Sequence, residues 1–268
     1  MLEIRVFKRD KTTNGVTLSG ERKRALVDIL FLLFVGTVIV TWFRGDYVLS
    51  CWDATFPWNP GRNLPAYSYT WHEERGMGIP NVTIHFLPYF AFMALFHNVL
   101  RLSLEYSQKA LFYFLFVSSG LGMYFLVRTL NRKCSRLTTL ASSLFYMFNP
   151  YSAIYLWRTF STNMFSYSMV PFLLAFYTKA MRSKGSQDIV KNAILFGLAS
   201  LFLVVAQPAT DVMLLLLLFG CCYILLETPG RRLRVLMVSL AFALLWVSLN
   251  AWVLLPTLTR GGLELEMY

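Results

Sequence analysis

Apolar runs close to 20 residues recur along the chain, and they constrain its fold more than any other feature. They read "ALVDILFLLFVGTVIVTWF", "ALFYFLFVSSGLGMYFLV", "LTTLASSLFYMFNPYSAIYLW", "FSYSMVPFLLAFYTKAM", "AILFGLASLFLVVA", "VMLLLLLFGCCYILL" and "VLMVSLAFALLWVSLNAWVLLP". A helix of about 20 residues crosses a hydrocarbon layer about 30 Å thick. Hydrocarbon cannot hydrogen-bond a bare backbone, so runs of this length select helices. The expected fold is therefore an all-α polytopic membrane protein with about seven transmembrane helices, and the lipid bilayer is its first partner. A hydrophobic content of 56% and a mean hydropathy of +0.52 agree. The first run starts near Ala25 with no small-residue cleavage site behind it, which predicts a retained helix and not a removed signal.

The charge pattern then orients the chain. Lysine and arginine, 25 residues in all, outnumber 14 acids and give a net charge of +11. Most of the cations sit in "RVFKRDK" and "ERKR" before the first run, then in "RTLNRKCSR", "KAMRSKGSQDIVK" and "GRRLR", on alternate loops. Clustering on one side follows the positive-inside bias, so the excess charge reports topology and contact with anionic lipid, not nucleic acid. The expectation is a multi-pass protein of the plasma (cytoplasmic) membrane with a cytoplasmic basic N-terminus, residues 1–24. The membrane domain then covers residues 25–268, with an extracytoplasmic loop over residues 44–109. Within that loop, "IHFLPYFAFMALFHNVL" is apolar but short and carries His85, Pro88 and His97. If it crossed, three later basic clusters would change sides, so it is expected to be a re-entrant or interfacial helix.

The loop also carries the residues with chemistry. Residues 45–81 read "GDYVLSCWDATFPWNPGRNLPAYSYTWHEERGMGIPN", a density of acids, aromatics and prolines that a simple hairpin does not need. A carboxylate at the membrane surface can act as general base, taking a proton from a sugar hydroxyl that attacks an activated anomeric carbon. Asp53, with Pro57 and Pro60 holding the chain after it extended, is the first candidate, and Asp46 is the reserve. Either carboxylate can equally be solvated or cap a helix. Trp58 and Trp71 can stack on a sugar ring or belong to an interfacial aromatic belt. His72 and Glu73 are polar candidates for substrate contact, or an exposed polar run. Arg158 and Arg75 can clamp a lipid phosphate, and Arg158 can also snorkel to the interface. His85 and His97 have no third ligand in register, and four scattered cysteines show no metal spacing, so no metal site is expected. No phosphate-binding Gly-rich loop of the Gly-x4-Gly-Lys-Ser/Thr kind occurs, so the energy for chemistry must arrive with the substrate.

The order of "GD", "DATFPWNP" and "GMGIPN" in the first loop, "FLPYFAF", then "FNPYSAIYLW" and "YSMVPFLL", resembles the N-terminal membrane domain of GT-C glycosyltransferases of the arabinofuranosyltransferase D type. The resemblance covers nearly the whole chain. It implies an inverting enzyme that takes a sugar from a polyprenyl-phosphate donor to a glycan or glycolipid acceptor on the extracytoplasmic face. In that pattern an Asp followed by Pro and Asn-Pro falls on Asp53, Pro57, Asn59 and Pro60, and a later Trp on Trp71, which makes Asp53 the base. Whether a divalent metal assists is left open. Longer members continue with further helices and carbohydrate-binding domains, so the chain is expected to be the N-terminal part of a longer protein or to need a partner subunit. The alternative from another class is a non-catalytic transporter or flippase component for a lipid-linked glycan.

Overall fold

The computed structural model of the chain describes residues 14–43, 45, 47–49, 59–69, 71–72, 79–80, 82–131, 133–157, 163–183, 185–203, 218–220, 222, 226 and 229–266. Helices dominate. The first, α1 (Asn14–Gly36), continues into a 3-10 segment, Thr37–Trp42. The hydroxyls of Thr37 and Thr41 donate to the carbonyls of Phe34 and Val38, 2.7 and 2.6 Å away, which favours the tighter winding. After it come α2 (Pro60–Ser68) and a two-residue antiparallel ladder of β1 (Trp71–His72) and β2 (Ile79–Pro80), with Trp71 opposite Pro80 and His72 opposite Ile79. A continuous apolar helical stretch follows, made of a 3-10 turn (Val82–Phe86), α3 (Leu87–Ala94) and a π turn (Leu95–Val99). The long helices are α4 (Leu104–Leu130), α5 (Arg136–Phe148), α6 (Asn163–Arg182), α7 (Ser186–Leu203) and α8 (Pro229–Glu266), with a π turn at Ser152–Trp157 after α5.

Three of these helical stretches are long and apolar enough to cross a membrane among the described residues: Lys23–Trp42, Leu104–Leu130 and Arg232–Leu255. Of the remaining apolar runs, "VMLLLLLFGCCYILL" lies largely outside the described residues, and the other three fall short for visible reasons. Helix α5 has 13 residues, about 20 Å of rise. In α6 the run is broken by serines, Pro171 and Lys179, and α7 opens on Ser-Gln-Asp. The stretch Ile84–Val99 is an apolar helix too short to cross, as its length and its His and Pro content predict.

The helices wear their greasiest faces outward. On α1, Leu26, Leu30 and Phe34 are exposed, while Asp28 and Leu32 are buried. On α8, Leu233, Met237, Leu240 and Leu244 face out, while Val235, Val238, Phe242 and Trp246 pack inward. That inversion suits a lipid solvent, where outward leucines cost nothing and inward contacts must come from packing and hydrogen bonds. One core joins α1, α3, α4 and α5 to the start of α6 around Phe90, Phe112, Phe116 and Met147; a second joins α6, α7 and α8 around Leu173, Phe196 and Phe242.

Close approach and buried hydroxyls hold these layers. A Cβ on Gly120 would lie 2.3 Å from Met147 Sδ and one on Gly36 2.2 Å from Val117, so α4 meets α5 and α1 at glycines. Ser168 Oγ donates to the Leu115 carbonyl (2.7 Å), Ser166 Oγ to that of Leu203 (3.1 Å) and Tyr113 to that of Leu33 (3.0 Å). The partners also set direction. Asp28 meets Tyr124, Leu33 meets Tyr113 and Gly45 meets Lys109, so α1 and α4 are antiparallel. Ser168 meets Leu115 and Arg182 meets Thr129, so α4 and α6 are parallel. Tyr177 meets Ser239 and Arg234 meets Ser183, so α6 and α8 are antiparallel. The bundle thus has a loop end, where α4 and α6 begin, and a basic end, where they finish.

Candidate functional site

At the loop end the long loop is tied down on both flanks. Gln108, fully buried on the first turns of α4, accepts from the Leu49 N–H at 2.7 Å and donates to the Leu49 carbonyl at 2.6 Å. Those two bonds satisfy both backbone groups of one loop residue, as a strand partner would. Lys109 adds a bond to the Gly45 carbonyl at 3.3 Å and lies over the rings of Phe43 and Tyr106. Gly45 has φ +61, the left-handed region that a glycine adopts freely, so the chain turns here just past the first membrane helix.

The other flank is α2. Asn59 caps it by accepting from the Arg62 N–H at 3.1 Å, and Pro60 occupies the first helical position. The chain from Pro60 onward is therefore helical, with Asn59 itself non-helical, while the segment between Asp53 and Asn59, expected to be extended, lies outside the described residues. Helix α2 packs on the α3 stretch, where Gly61 comes so near the Asn98 side chain that a Cβ would lie 2.6 Å from it. Next to α3, Ile84 packs with Trp252 and Val253 of α8. His97 Nδ1 donates to the Leu102 carbonyl at 2.8 Å and closes the turn from the π segment into α4, where Arg101 adopts φ 58. A histidine so engaged is a turn-closing group, a role its spacing in sequence did not reveal.

A second rigid element lies at the same end, built from "FNPYS". The rings of Tyr146 (α5) and Tyr167 (α6) stack at 4.1 Å, nearly parallel at 5°. Each hydroxyl donates to the other residue's carbonyl, at 2.9 and 2.5 Å. Asn149 Nδ2 donates to the Tyr167 hydroxyl (2.6 Å), and Asn149 Oδ1 accepts from the Ser152 N–H (3.1 Å), fixing the π turn that leads toward residue 158. Tyr89 of α3 meets Phe165 of α6 edge-on at 6.0 Å, so this knot and the loop elements share one end of the bundle.

Asp46, Asp53, Trp58, Glu73, Arg75 and Arg158 lie outside the described residues, and Trp71 and His72 are described in backbone only, as β1. The structure therefore places the frame around them: Leu49 before and Asn59 after the Asp53 segment, the β1–β2 ladder around residues 73–78, and Tyr146 and Asn149 before and Tyr167 after Arg158.

At the basic end, sequence reasoning missed a buried polar network. Asp28, 2% exposed on α1, accepts from Arg136 Nε of α5 at 2.6 Å and from the Tyr124 hydroxyl of α4 at 2.9 Å. Arg128 donates to the same tyrosine oxygen at 2.9 Å. The signal was a lone acid inside a membrane-length run, since such groups in helical bundles pair inward. No protein-family model, no curated protein and no solved structure matches the chain.

Proposed function

We propose that the protein is a multi-pass membrane glycosyltransferase that moves a sugar from a polyprenyl-phosphate donor to a glycan or glycolipid acceptor at the loop end of the bundle. Asp53 takes the proton from the acceptor hydroxyl as its oxygen attacks the anomeric carbon and the phosphate leaves. Asp46 is the reserve base. Arg158 and Arg75 sit against the donor phosphate, with Trp58, Trp71, His72 and Glu73 against sugar. The GT-C resemblance supplies this chemistry, and one observation supports it. The segment bearing Asp53 is flanked in sequence by two anchors, Leu49 on Gln108 and the Asn59-capped α2 on α3, at the end of the bundle that also carries the Asn149 knot. A general base must be held within hydrogen-bond reach of its proton, which favours a loop fastened to helices over a free one.

The reading of seven spans, with the basic end cytoplasmic, is supported by the alternation of helix ends. Helix α7 finishes at Leu203 beside Ser166, and α8 starts with Arg234 beside Ser183, at opposite ends of α6. A span in "VMLLLLLFGCCYILL" is the reading that joins these two ends. Phe219 packs near Tyr177 of α6, 6.4 Å between ring centroids. The Ile84–Val99 helix is then re-entrant or interfacial.

The test is transfer of radiolabelled sugar from a panel of polyprenyl-phosphate sugars in proteoliposomes. Wild type transfers from at least one donor, Asp53→Asn abolishes transfer, and Asp46→Asn retains it. Full activity of Asp53→Asn refutes the assignment of the base. A folded wild type inactive with every donor refutes the enzyme and favours a transporter of lipid-linked glycan.

A further inference from the structure

At the basic end a cavity of about 1150 Å³ opens between α1, α4, α6 and α7. Its composition changes with depth. Four cations, Arg128, Lys179, Arg182 and Lys191, line it together with one carboxylate, Asp188. The rest of the wall is largely apolar, from Ile29, Leu121, Phe125, Phe172, Phe176 and Leu195. Each helix repeats the same order at helical spacing. Leu121, Phe125 and Arg128 are i, i+4 and i+7 on α4; Phe172, Phe176 and Lys179 are i, i+4 and i+7 on α6; Lys191 and Leu195 are i and i+4 on α7. Seven residues rise about 10 Å, so the apolar wall runs about 10 Å deeper into the bundle than the cations. Lys179 Nζ stands 3.9 Å from the Phe125 ring centroid, at the border of the two zones.

A pocket with cations at the mouth and aromatic wall beneath matches one chemical class: an anion with a hydrocarbon tail. A soluble phosphate would leave the wall unused, and a neutral lipid would bring no charge to the cationic mouth. We propose that this cavity binds a phosphate-headed lipid taken from the bilayer, its phosphate among Arg128, Lys179 and Lys191 and its chain along Phe125, Phe172 and Phe176. Arg182 has a different duty, because its guanidinium donates to the carbonyls of Thr129 and Leu130 at 2.6 and 3.3 Å and closes the end of α4. The proposal is independent of the transfer reaction, since it concerns the opposite end of the bundle.

The test is lipid retention by the delipidated full chain in neutral detergent, read by native mass spectrometry. Separate arms contain dioleoyl phosphatidic acid, a polyprenyl monophosphate, dioleoyl phosphatidylcholine and inorganic phosphate. Retention is expected for one or both phosphate-headed lipids, and the preferred one names the source, whereas phosphatidylcholine and inorganic phosphate are not retained. The double variant Lys179→Gln/Lys191→Gln should retain these lipids about tenfold less, given the strength of hydrogen bonds to charged groups. Removing the opposing carboxylate in Asp188→Asn should raise retention. Lys133→Gln, outside the cavity, should leave it unchanged. Equal retention of phosphatidylcholine, or undiminished retention by the double variant, overturns the proposal. Should the double variant lose its helical circular dichroism, the Asp188→Asn gain and the comparison of lipids on wild type decide.

Discussion

Arg136→Met and Asp28→Asn break the same ion pair, yet they should differ in cost, because the two partners stand differently toward water. The Asp28 side chain is 2% exposed and that of Arg136 is 53% exposed. Two unit charges about 4 Å apart attract by about 4 kcal/mol at an effective dielectric of about 20. Removing Arg136 leaves a carboxylate that water cannot reach, which in fully buried pairs costs about 3–5 kcal/mol. Here the Tyr124 hydroxyl still donates to Asp28, and the arginine was already half in water, so the expected loss is about 1–3 kcal/mol. Asp28→Asn keeps an acceptor for Arg136, whose guanidinium can rehydrate, and should cost less than about 1 kcal/mol. The double variant should recover much of the Arg136→Met loss, giving a coupling of about 1–2 kcal/mol. Unfolding in mixed micelles, followed by helical circular dichroism, measures all four corners of the cycle. If Arg136→Met stays within about 0.5 kcal/mol of wild type, or Asp28→Asn is the costlier change, the carboxylate is not the buried and dependent partner and the reasoning fails.

The packing and the loop anchor yield further outcomes. Gly120→Ala puts a methyl into the fully buried Met147 thioether and should destabilise by about 1–3 kcal/mol in the same micelle assay, with Gly20→Ala on α1, whose Cβ meets open space and which gains only helix propensity, as the comparison. Gln108→Leu removes both partners of Leu49 and should speed limited proteolysis within residues 44–58 while lowering sugar transfer; unchanged cleavage would mean that the loop is held elsewhere. Asn149→Ala deletes the bonds to Tyr167 and Ser152 and should cost about 1–2 kcal/mol of stability, with a larger fractional loss of transfer if the knot positions Arg158.

What sequence could reveal followed from how local each signal was. Span length and charge alternation are local sums, so the helices and the basic end were legible: "RTLNRKCSR" and "KAMRSKGSQDIVK" meet where Arg182 caps α4. The short helix at 84–99 was legible because its length and its histidines and proline disfavour a crossing. At the Asn59–Pro60 pair the rule for residues before proline holds for Asn59, which is non-helical, and the same pair is a helix start, since Asn at an N-cap followed by Pro opens α2. The Gln108 anchor and the Asp28 pair join residues 59 and 108 positions apart, and no local pattern encodes such partners.

The two ends of the bundle solve opposite problems with the same helices. At the basic end, α4, α6 and α7 each place cations a turn or two beyond aromatic and aliphatic side chains, so three separate amphipathic stripes become one amphipathic cavity only when the helices pack. At the loop end, polar groups on α4 and at the end of α5 fasten backbone: Gln108 holds Leu49, and Asn149 holds Tyr146 and Ser152. Cations gathered at a mouth suit the capture of a mobile anion, whereas amides bonded within the frame suit the holding of a fixed segment. The candidate base belongs to the framed end, because a proton transfer needs its carboxylate held still. The lipid cavity belongs to the other, where the exposed side chain of Lys191 can follow a headgroup as it enters.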